Sequence, residues 1–244
     1  MKQPTQRGFC AAGTAALLLA VLGMPVMPAA AQDGKVRGTT QPGRAEAHKE
    51  ERQDAATHLD KAAQAVKAMR KDAQVDKLLQ QAKGVFIIPQ YGRAALGVGA
   101  QGGAGVLVAH HGGKWSAPGF YNFGGVSMGL QAGVEAGSIA MLLMTDKALN
   151  MFNNNGNKFA LTADAGLTIV DYSARATGTA GQGDVVLWSN AKGVLADLNV
   201  GVTDINFDEK ETRVYYGKPV SAQDIVSGKA TSTKAKELAD ALSS

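Results

Sequence analysis

The stretch that decides the fold reads VSMGLQAGVEAG and covers residues 126–137. From Val126 to Val134, apolar side chains occupy every second position, and small or polar side chains lie between them. Successive side chains of a β-strand point to opposite faces of the sheet, so a period of two predicts a strand. The same alternation in residues 159–170 and 195–205 predicts two more long strands.

Shorter apolar runs between turn residues predict further strands at residues 84–88, 94–100, 105–110, 138–144, 184–189 and 212–217. Most of the 30 glycines lie between Gly84 and Gly201. This density disfavours helices and permits bends and close approach of strands. We therefore expect a glycine-rich, curved antiparallel sheet or a partly closed barrel.

The residues before this sheet have helical spacing. From Ala45 onward, apolar side chains recur three and four positions apart, at Leu59, Ala62, Ala63, Val66 and Met69. We expect a long amphipathic helix there, and a shorter one from about Asp76 to Ala82 that ends at a left-handed Gly84. The fold class is then α+β, with N-terminal amphipathic helices packed on the sheet.

The C-terminal residues also carry helix signals. Ser221–Asp224 reads SAQD, a capping box for a short helix that ends at Gly228. The last residues predict a terminal helix. The expected organisation is a signal peptide at 1–31, a flexible linker at 32–45, a domain at 46–228 and a tail helix at 229–244.

The first 31 residues have the three parts of a secretory signal. Lys2 and Arg7 precede an apolar run, and Ala29–Ala31 supplies the small residues of a cleavage site. We expect cleavage near Ala31 and export to the periplasm or the medium. Cys10, the only cysteine, lies before the apolar run, so neither a disulfide nor a cysteine-linked lipid is expected in the mature chain.

Charge argues against one class of partner. Loss of Lys2 and Arg7 with the signal would lower the formal net charge from +4 to +2. A net charge this small does not indicate nucleic-acid binding.

Two short motifs raise the question of an enzyme. Residues 125–129, GVSMG, match the nucleophile elbow, which needs a strand, a turn and a helix, and a histidine later in the chain. Here the alternation continues past Ser127, and the last histidine, His111, precedes it. Residues 97–102, GVGAQG, match a dinucleotide fingerprint, but a strand pattern follows in place of the helix. We predict a non-enzymatic protein without a cofactor.

Metal ligands are also not expected. His110 and His111 are adjacent, so they would point to opposite faces of a strand, and no cysteine or acid cluster nearby completes a metal site. Asp164, Asp197 and Asp204 lie on polar strand faces, and their spacing alone does not bring them together.

Basic side chains are concentrated in the helical region, at Lys61, Lys67, Arg70, Lys71, Lys77 and Lys83. Two interpretations are open. Cations near helix C-termini complement the helix dipole, and a basic surface beside an amphipathic helix attracts anionic head groups. The apolar face of the long helix would equally insert into a membrane or form core against the sheet.

Seven segments, in order along the chain, resemble the successive motifs of the SYLF domain, a lipid-binding family: residues 82–89, 94–108, 114–135, 142–149, 159–166, 188–198 and 215–228. The similarity extends from about residue 50 to residue 228. The W-S-A-P and G-x-S-x-G-x-Q-x-G motifs of residues 115–133 are specific when the others follow in order. In this family that stretch is framework, a second reason against a nucleophilic Ser127.

The resemblance implies phospholipid binding, with phosphoinositides among the ligands of eukaryotic members, through basic residues on the N-terminal side of the domain. Those members also work with actin at membranes. Carried over to this sequence, the lipid-binding residues are Lys67, Arg70, Lys71, Lys77 and Lys83, with Arg93 as an outlier. An exported member would meet phosphatidylglycerol, cardiolipin or other anionic lipids instead.

The predicted function is therefore peripheral binding of anionic phospholipid by an exported, non-enzymatic domain. One alternative is an envelope scaffold that binds another protein. A second is an outer-membrane β-barrel, which alternating strands also fit. The low aromatic content of 6% and the helical N-terminal region argue against the barrel.

Overall fold

The computed structural model describes residues 42–154, 156–172, 183–190 and 201–243. The helices are α1 (Pro42–Met69), α2 (Ala73–Gln81), α3 (Asp146–Asn150), α4 (Glu209–Tyr216), α5 (Ala222–Val226) and α6 (Lys236–Ser243). The strands are β1 (Gly84–His111), β2 (Lys114–Trp115), β3 (Gly119–Leu143), β4 (Phe159–Thr162), β5 (Ile169–Asp171), β6 (Val185–Ser189) and β7 (Gly201–Phe207).

One long hairpin organises the sheet. β1 and β3 pair antiparallel, from Gly84 opposite Leu143 to Leu107 opposite Gly119. β6 pairs antiparallel with β3, and β5 pairs parallel with β6. β7 pairs antiparallel with both β3 and β4. The sheet is thus mixed but mostly antiparallel, which agrees with the predicted fold class.

β1 bends back on itself, so that its first and last parts lie side by side. The backbone N–H of His110 donates to the carbonyl of Lys83 at 2.8 Å. Glycine makes the approach possible, because a Cβ on Gly103 would lie 2.6 Å from the carbonyl oxygen of Gln90. The sheet is consequently barrel-shaped and nearly closed, as the curvature predicted from the glycines requires.

The strands are longer than the sequence predicts. The three runs at 84–88, 94–100 and 105–110 are parts of one strand, β1, and residues 126–137 and 138–144 are joined in β3 up to Leu143. Shifts of register, such as that between Ile88 and Tyr91, let so long a strand bend without ending.

The two faces of the sheet bury separate apolar clusters. The cluster on one face, here the sheet core, extends under α3 and α5 and includes Phe86, Ile88, Tyr121, Met141, Leu187 and Ile225. The cluster on the other face, here the helix core, includes Val85, Ile87, Val108, Leu142, Leu79 and Leu238 and lies under α1, α2 and α6. The α1 residues predicted to face the sheet, Leu59, Ala62, Ala63, Val66 and Met69, are all buried in the helix core.

The prediction of a strand at 212–217 is wrong, because these residues belong to α4 and its cap. Asp208 caps the helix by accepting a hydrogen bond from the backbone N–H of Glu211 at 2.8 Å. Gly217 ends it with a φ of 71°. Caps at both ends favour the helix over the strand preference of Val214, Tyr215 and Tyr216.

The single strand predicted at 159–170 is also wrong. β4 ends at Thr162, whose hydroxyl accepts a hydrogen bond from the N–H of Ala165 at 3.2 Å. Gly166 has a φ of 75°, and β5 begins only at Ile169. A turn therefore replaces the middle of the expected strand. Of the strand predicted at 195–205, residues 195–200 lie outside the described residues, and Gly201 begins β7.

Two local helix signals have different outcomes. The capping box at Ser221 and Asp224 is present at the start of α5, and Gly228 follows it with a φ of 71°. Gly84 is not a left-handed helix end, because α2 ends at Gln81 and Gly84 begins β1. A Cβ on Gly84 would lie 2.9 Å from Leu149 Cδ1, so close packing explains this glycine.

Candidate functional site

Five of the six predicted basic residues lie between the last turn of α1 and the start of β1, and the sixth, Arg93, lies within β1. α1 ends at Met69, and Asp72 begins α2 by accepting a hydrogen bond from the N–H of Gln74 at 2.9 Å. The larger apolar residues on either side of the bend between α1 and α2 are buried: Val66, Met69, Val75, Leu78 and Leu79. Four lysines, here called the elbow lysines, are exposed to solvent: Lys67, Lys71, Lys77 and Lys83.

Arg70 is used differently from the elbow lysines. Its Nη1 donates to the carbonyl oxygen of Leu242 at 2.9 Å, and its Nη2 lies 2.9 Å from Oδ1 of Asp76. Only 14% of the side chain is exposed. Arg70 therefore ties the bend to both α2 and the end of α6, and its guanidinium group is already satisfied by protein partners.

Three of the predicted cations share one depression. Lys67, Arg70 and Lys71 line a groove of about 440 Å³, here the α1–α6 groove, together with Glu237 and Asp240 of α6. The two carboxylates offset part of the positive charge. Lys77 and Lys83 are not among the residues that line it. Arg93 pairs in β1 with Glu135 of β3, and its side chain lies outside the described part of the structure.

α1 is also held to α4 by an ion pair. His58 Nδ1 lies 2.7 Å from Oε1 of Glu211. The hydrogen bond with this carboxylate raises the pKa of the His58 imidazole above its ordinary value, and Asp54 adds to the effect, while burial and Lys61 oppose it. The helix that leads into the elbow lysines is thereby fixed on the domain.

The enzyme-like motifs lie in continuous strands. Ser127 is part of β3, which runs on to Leu143, so the helix of a nucleophile elbow does not follow it. Residues 97–102 lie within β1, so the dinucleotide fingerprint does not open a helix either. These two observations agree with the interpretation of both motifs as chance matches in a glycine-rich sheet.

The two histidines have structural partners. His110 stacks on Trp115 with ring centroids 4.5 Å apart. His111 Nε2 lies 2.7 Å from the carbonyl oxygen of Val226. Within the described ranges, no three His, Cys, Asp or Glu side chains come together as a metal site.

The acidic residues that the sequence left unplaced do not form a pair in the described residues. Asp164 is exposed in the turn after β4. Asp204 has a φ of 55° and lies 3.4 Å from Lys158 Nζ. Asp197 lies outside the described residues.

A second groove, of about 610 Å³, is not predicted from the sequence. It lies between the end of β1, β2, the segment 228–235 and α6, and we name it the C-terminal groove. Trp115 and Ala239 contribute accessible apolar surface, while Val108, Leu238 and Leu242 are at most 3% exposed. Lys114 and Lys236 supply positive charge. Its walls come from two regions more than a hundred residues apart, so local spacing gives little sign of it. The helical spacing of apolar residues at the end of the chain predicts α6, which forms one wall, but does not predict the groove itself.

Across the described residues, the helices are too short or too polar to span a bilayer.

Comparison with known proteins gives a consistent family. Residues 124–244 match the model of the Ysc84 family, described as Las17-binding protein actin regulator. The human SH3 domain-containing YSC84-like protein 1 is 31% identical over 164 residues, which cover 62% of this chain and 45% of that protein. The bovine protein of the same name is 30% identical over 181 residues, or 68% of this chain and 50% of that protein.

A yeast relative extends the comparison. LAS seventeen-binding protein 3 of Saccharomyces cerevisiae is 29% identical over 160 residues, or 62% of this chain and 34% of that protein. The chain spans about half the length of the first of these relatives. No solved structure matches it. Through residues 124–244, the chain belongs to the Ysc84 family, to which the SYLF motifs of its sequence also point.

Proposed function

We propose that this protein binds anionic phospholipid membranes peripherally, without catalysis, through the elbow lysines. The observation that carries the proposal is the exposure of all four lysines on one short helix–turn–helix segment whose larger apolar side chains are buried. A cation close to an anionic membrane surface contributes about 1 kcal/mol. Four such cations would together contribute about 4 kcal/mol, which is enough for weak and reversible binding of the protein to the membrane.

The proposed contact is electrostatic and does not use the apolar face of α1. Leu59, Val66 and Met69 are at most 4% exposed and belong to the helix core. Inserting them into a membrane would remove α1 from the sheet. Exposed charges are screened over about 8 Å at physiological ionic strength, so binding should weaken strongly as salt is added.

Export is part of the proposal, because residues 1–31 have the pattern of a secretory signal. An exported protein would meet phosphatidylglycerol and cardiolipin, so these are the proposed ligands. The mass of the mature chain isolated from its natural host would test the cleavage near Ala31.

Flotation with lipid vesicles tests the membrane function. We expect recovery with vesicles that contain phosphatidylglycerol, little recovery with phosphatidylcholine alone, and loss of binding at high salt. Changing all four elbow lysines to Gln should weaken binding at least roughly tenfold. Arg70 is kept unchanged, because its contacts with Leu242 and Asp76 are structural.

A matched control variant tests whether the position of the lysines matters for membrane binding or only the net charge of the protein. Four exposed lysines elsewhere, also changed to Gln, give the same total charge: Lys158, Lys210, Lys218 and Lys229. This control should retain most of the binding. Equal losses in the two variants would show that only net charge matters, and equal recovery on both vesicle types would contradict the membrane function.

A second candidate is a protein-binding module, which the family description and the name of the yeast relative favour. In this case the partner would be a protein similar to Las17, which the family description names as the protein bound. The flotation experiment distinguishes the two, since a module that binds only protein would show no preference for the anionic vesicles.

A further inference from the structure

The C-terminal groove differs in charge from the α1–α6 groove beside it. Lys114, Lys236 and His111 are among its lining residues, and none of the described residues that line it carries a carboxylate. The α1–α6 groove, in contrast, contains Glu237 and Asp240 among its lining residues. An anion that enters the C-terminal groove would therefore meet Lys114 directly. Lys236 Nζ lies 2.5 Å from Oδ2 of Asp240, which is outside the lining, so this exposed lysine would share its charge between Asp240 and the anion.

The same groove also has apolar surface. The half-buried ring of Trp115 and the side chains of Ala230, Ala235 and Ala239 contribute to its accessible lining, whereas Leu238 and Leu242 are only 1% and 3% exposed. Burial of apolar area stabilises a ligand by about 25 cal/mol per Å². The groove thus combines two kinds of surface that a molecule with a charged end and a hydrocarbon end would use together.

The wall formed by α6 is fixed in position. The carbonyl oxygen of Leu242, at the end of α6, accepts a hydrogen bond from Trp115 Nε1 at 3.2 Å and one from Arg70 Nη1 at 2.9 Å. α6 is thereby joined to β2 and to the α1–α2 bend. A groove whose walls are already fixed has a smaller ordering cost when a ligand binds.

We propose that the C-terminal groove binds one single-chain anionic amphiphile, with its head group at Lys114 and Lys236 and its hydrocarbon chain against Trp115 and Ala239. The volume of about 610 Å³ suits such a ligand, because pockets for small molecules measure roughly 300–1,000 Å³. This site is separate from the elbow lysines, and the inference does not depend on the proposed membrane function.

Tryptophan fluorescence gives a direct test. Trp115 lines the groove, and the only other tryptophan, Trp188, is changed to Phe so that the signal comes from Trp115 alone. The protein is titrated with dodecyl phosphate and, separately, with dodecylphosphocholine, both below their micelle-forming concentrations. These probes share a hydrocarbon chain but differ in net charge. We expect saturable binding of dodecyl phosphate and much weaker binding of dodecylphosphocholine.

Two variants locate the binding. Changing Lys114 and Lys236 to Gln should weaken dodecyl phosphate binding by roughly tenfold. Ala239→Phe should block the groove without adding a second tryptophan, because Ala239 is an exposed α6 residue that lines it. Circular dichroism and a thermal melt confirm that each variant is folded. The variant of Lys114 and Lys236, which are both exposed, still tests the proposal if Ala239→Phe does not fold.

Lys67→Gln with Lys71→Gln is the matched control, since it also removes two lysine charges near α6. It should leave dodecyl phosphate binding unchanged. The proposal is overturned if the two probes bind equally, if this control weakens binding as much as the groove lysines do, or if neither groove variant has an effect. Vesicle binding is tested with the variant of the four elbow lysines, and amphiphile binding is tested with the groove variants. Failure of one proposal therefore leaves the other intact.

Discussion

His58 illustrates how one side chain makes the packing of a helix depend on pH. It joins α1 to α4 through Glu211, at 2.7 Å, and this hydrogen bond raises its pKa above the ordinary value of 6.5. The protonated form is therefore favoured in the folded protein. The resulting stabilisation is fully present below about pH 6.5, the unfolded pKa, and is lost as the pH rises through the higher folded pKa.

We predict that the free energy of unfolding decreases between about pH 6 and pH 8, and that His58→Gln removes most of this decrease. The expected contribution is about 1 kcal/mol, because the pair is only partly buried. Urea denaturation at both pH values measures it. Glu211→Gln should have the same effect on the pH dependence. A decrease that persists unchanged in both variants would contradict the assignment to this pair.

The two kinds of basic residue at the α1–α2 bend show what sequence can reveal of the site. The exposure of Lys67 and Lys77 follows from their positions outside the buried apolar stripe of each helix, so helical periodicity predicts it, whereas Lys71 lies in the turn between the helices. The structural use of Arg70 does not follow from periodicity, because its carbonyl partner belongs to Leu242 at the other end of the chain. Whether a cation is free depends here on tertiary contacts.

At the scale of elements, α4 shows where strand prediction fails. Its residues Val214, Tyr215 and Tyr216 favour strands, but Asp208 and Gly217 supply helix caps at both ends. Tertiary contacts add to this preference, because the buried Thr212 hydroxyl accepts a hydrogen bond from the backbone N–H of Phe120. The long strands β1 and β3 were predictable as strands, since alternation is local, but their continuity was not.

Asp208 should therefore contribute to the stability of α4. We predict that Asp208→Ala lowers the free energy of unfolding by about 0.5–2 kcal/mol, the usual cost of losing an N-cap. The carboxylate accepts from the N–H of Glu211 and also from Asn122 Nδ2, each at 2.8 Å. Asp208→Asn should lose much less, since Asn is an equally good cap. Equal losses in urea denaturation of the two variants would exclude the capping role.

At the scale of the whole molecule, closure of the sheet depends on contacts that local sequence does not reveal. The first and last parts of β1 meet where Lys83 accepts from His110 and where Gly103 approaches Gln90. The glycine content predicts that close approach is possible, but not which strands meet. The C-terminal groove has the same origin, because the end of β1 is brought beside α6 only when the sheet bends round.

This dependence gives a prediction for two glycines of the same strand. A Cβ on Gly103 would lie 2.6 Å from the carbonyl oxygen of Gln90, whereas one on Gly92 would have nothing within 4 Å. Backbone cannot give way as a flexible side chain can, so Gly103→Ala should lower the free energy of unfolding by about 1–3 kcal/mol. Gly92→Ala, the identical change in open space, should be neutral or slightly stabilising, because alanine reduces the entropy of the unfolded chain. Thermal and urea denaturation of the two variants measure the difference, and equal stability would show that closure of β1 does not require glycine at position 103.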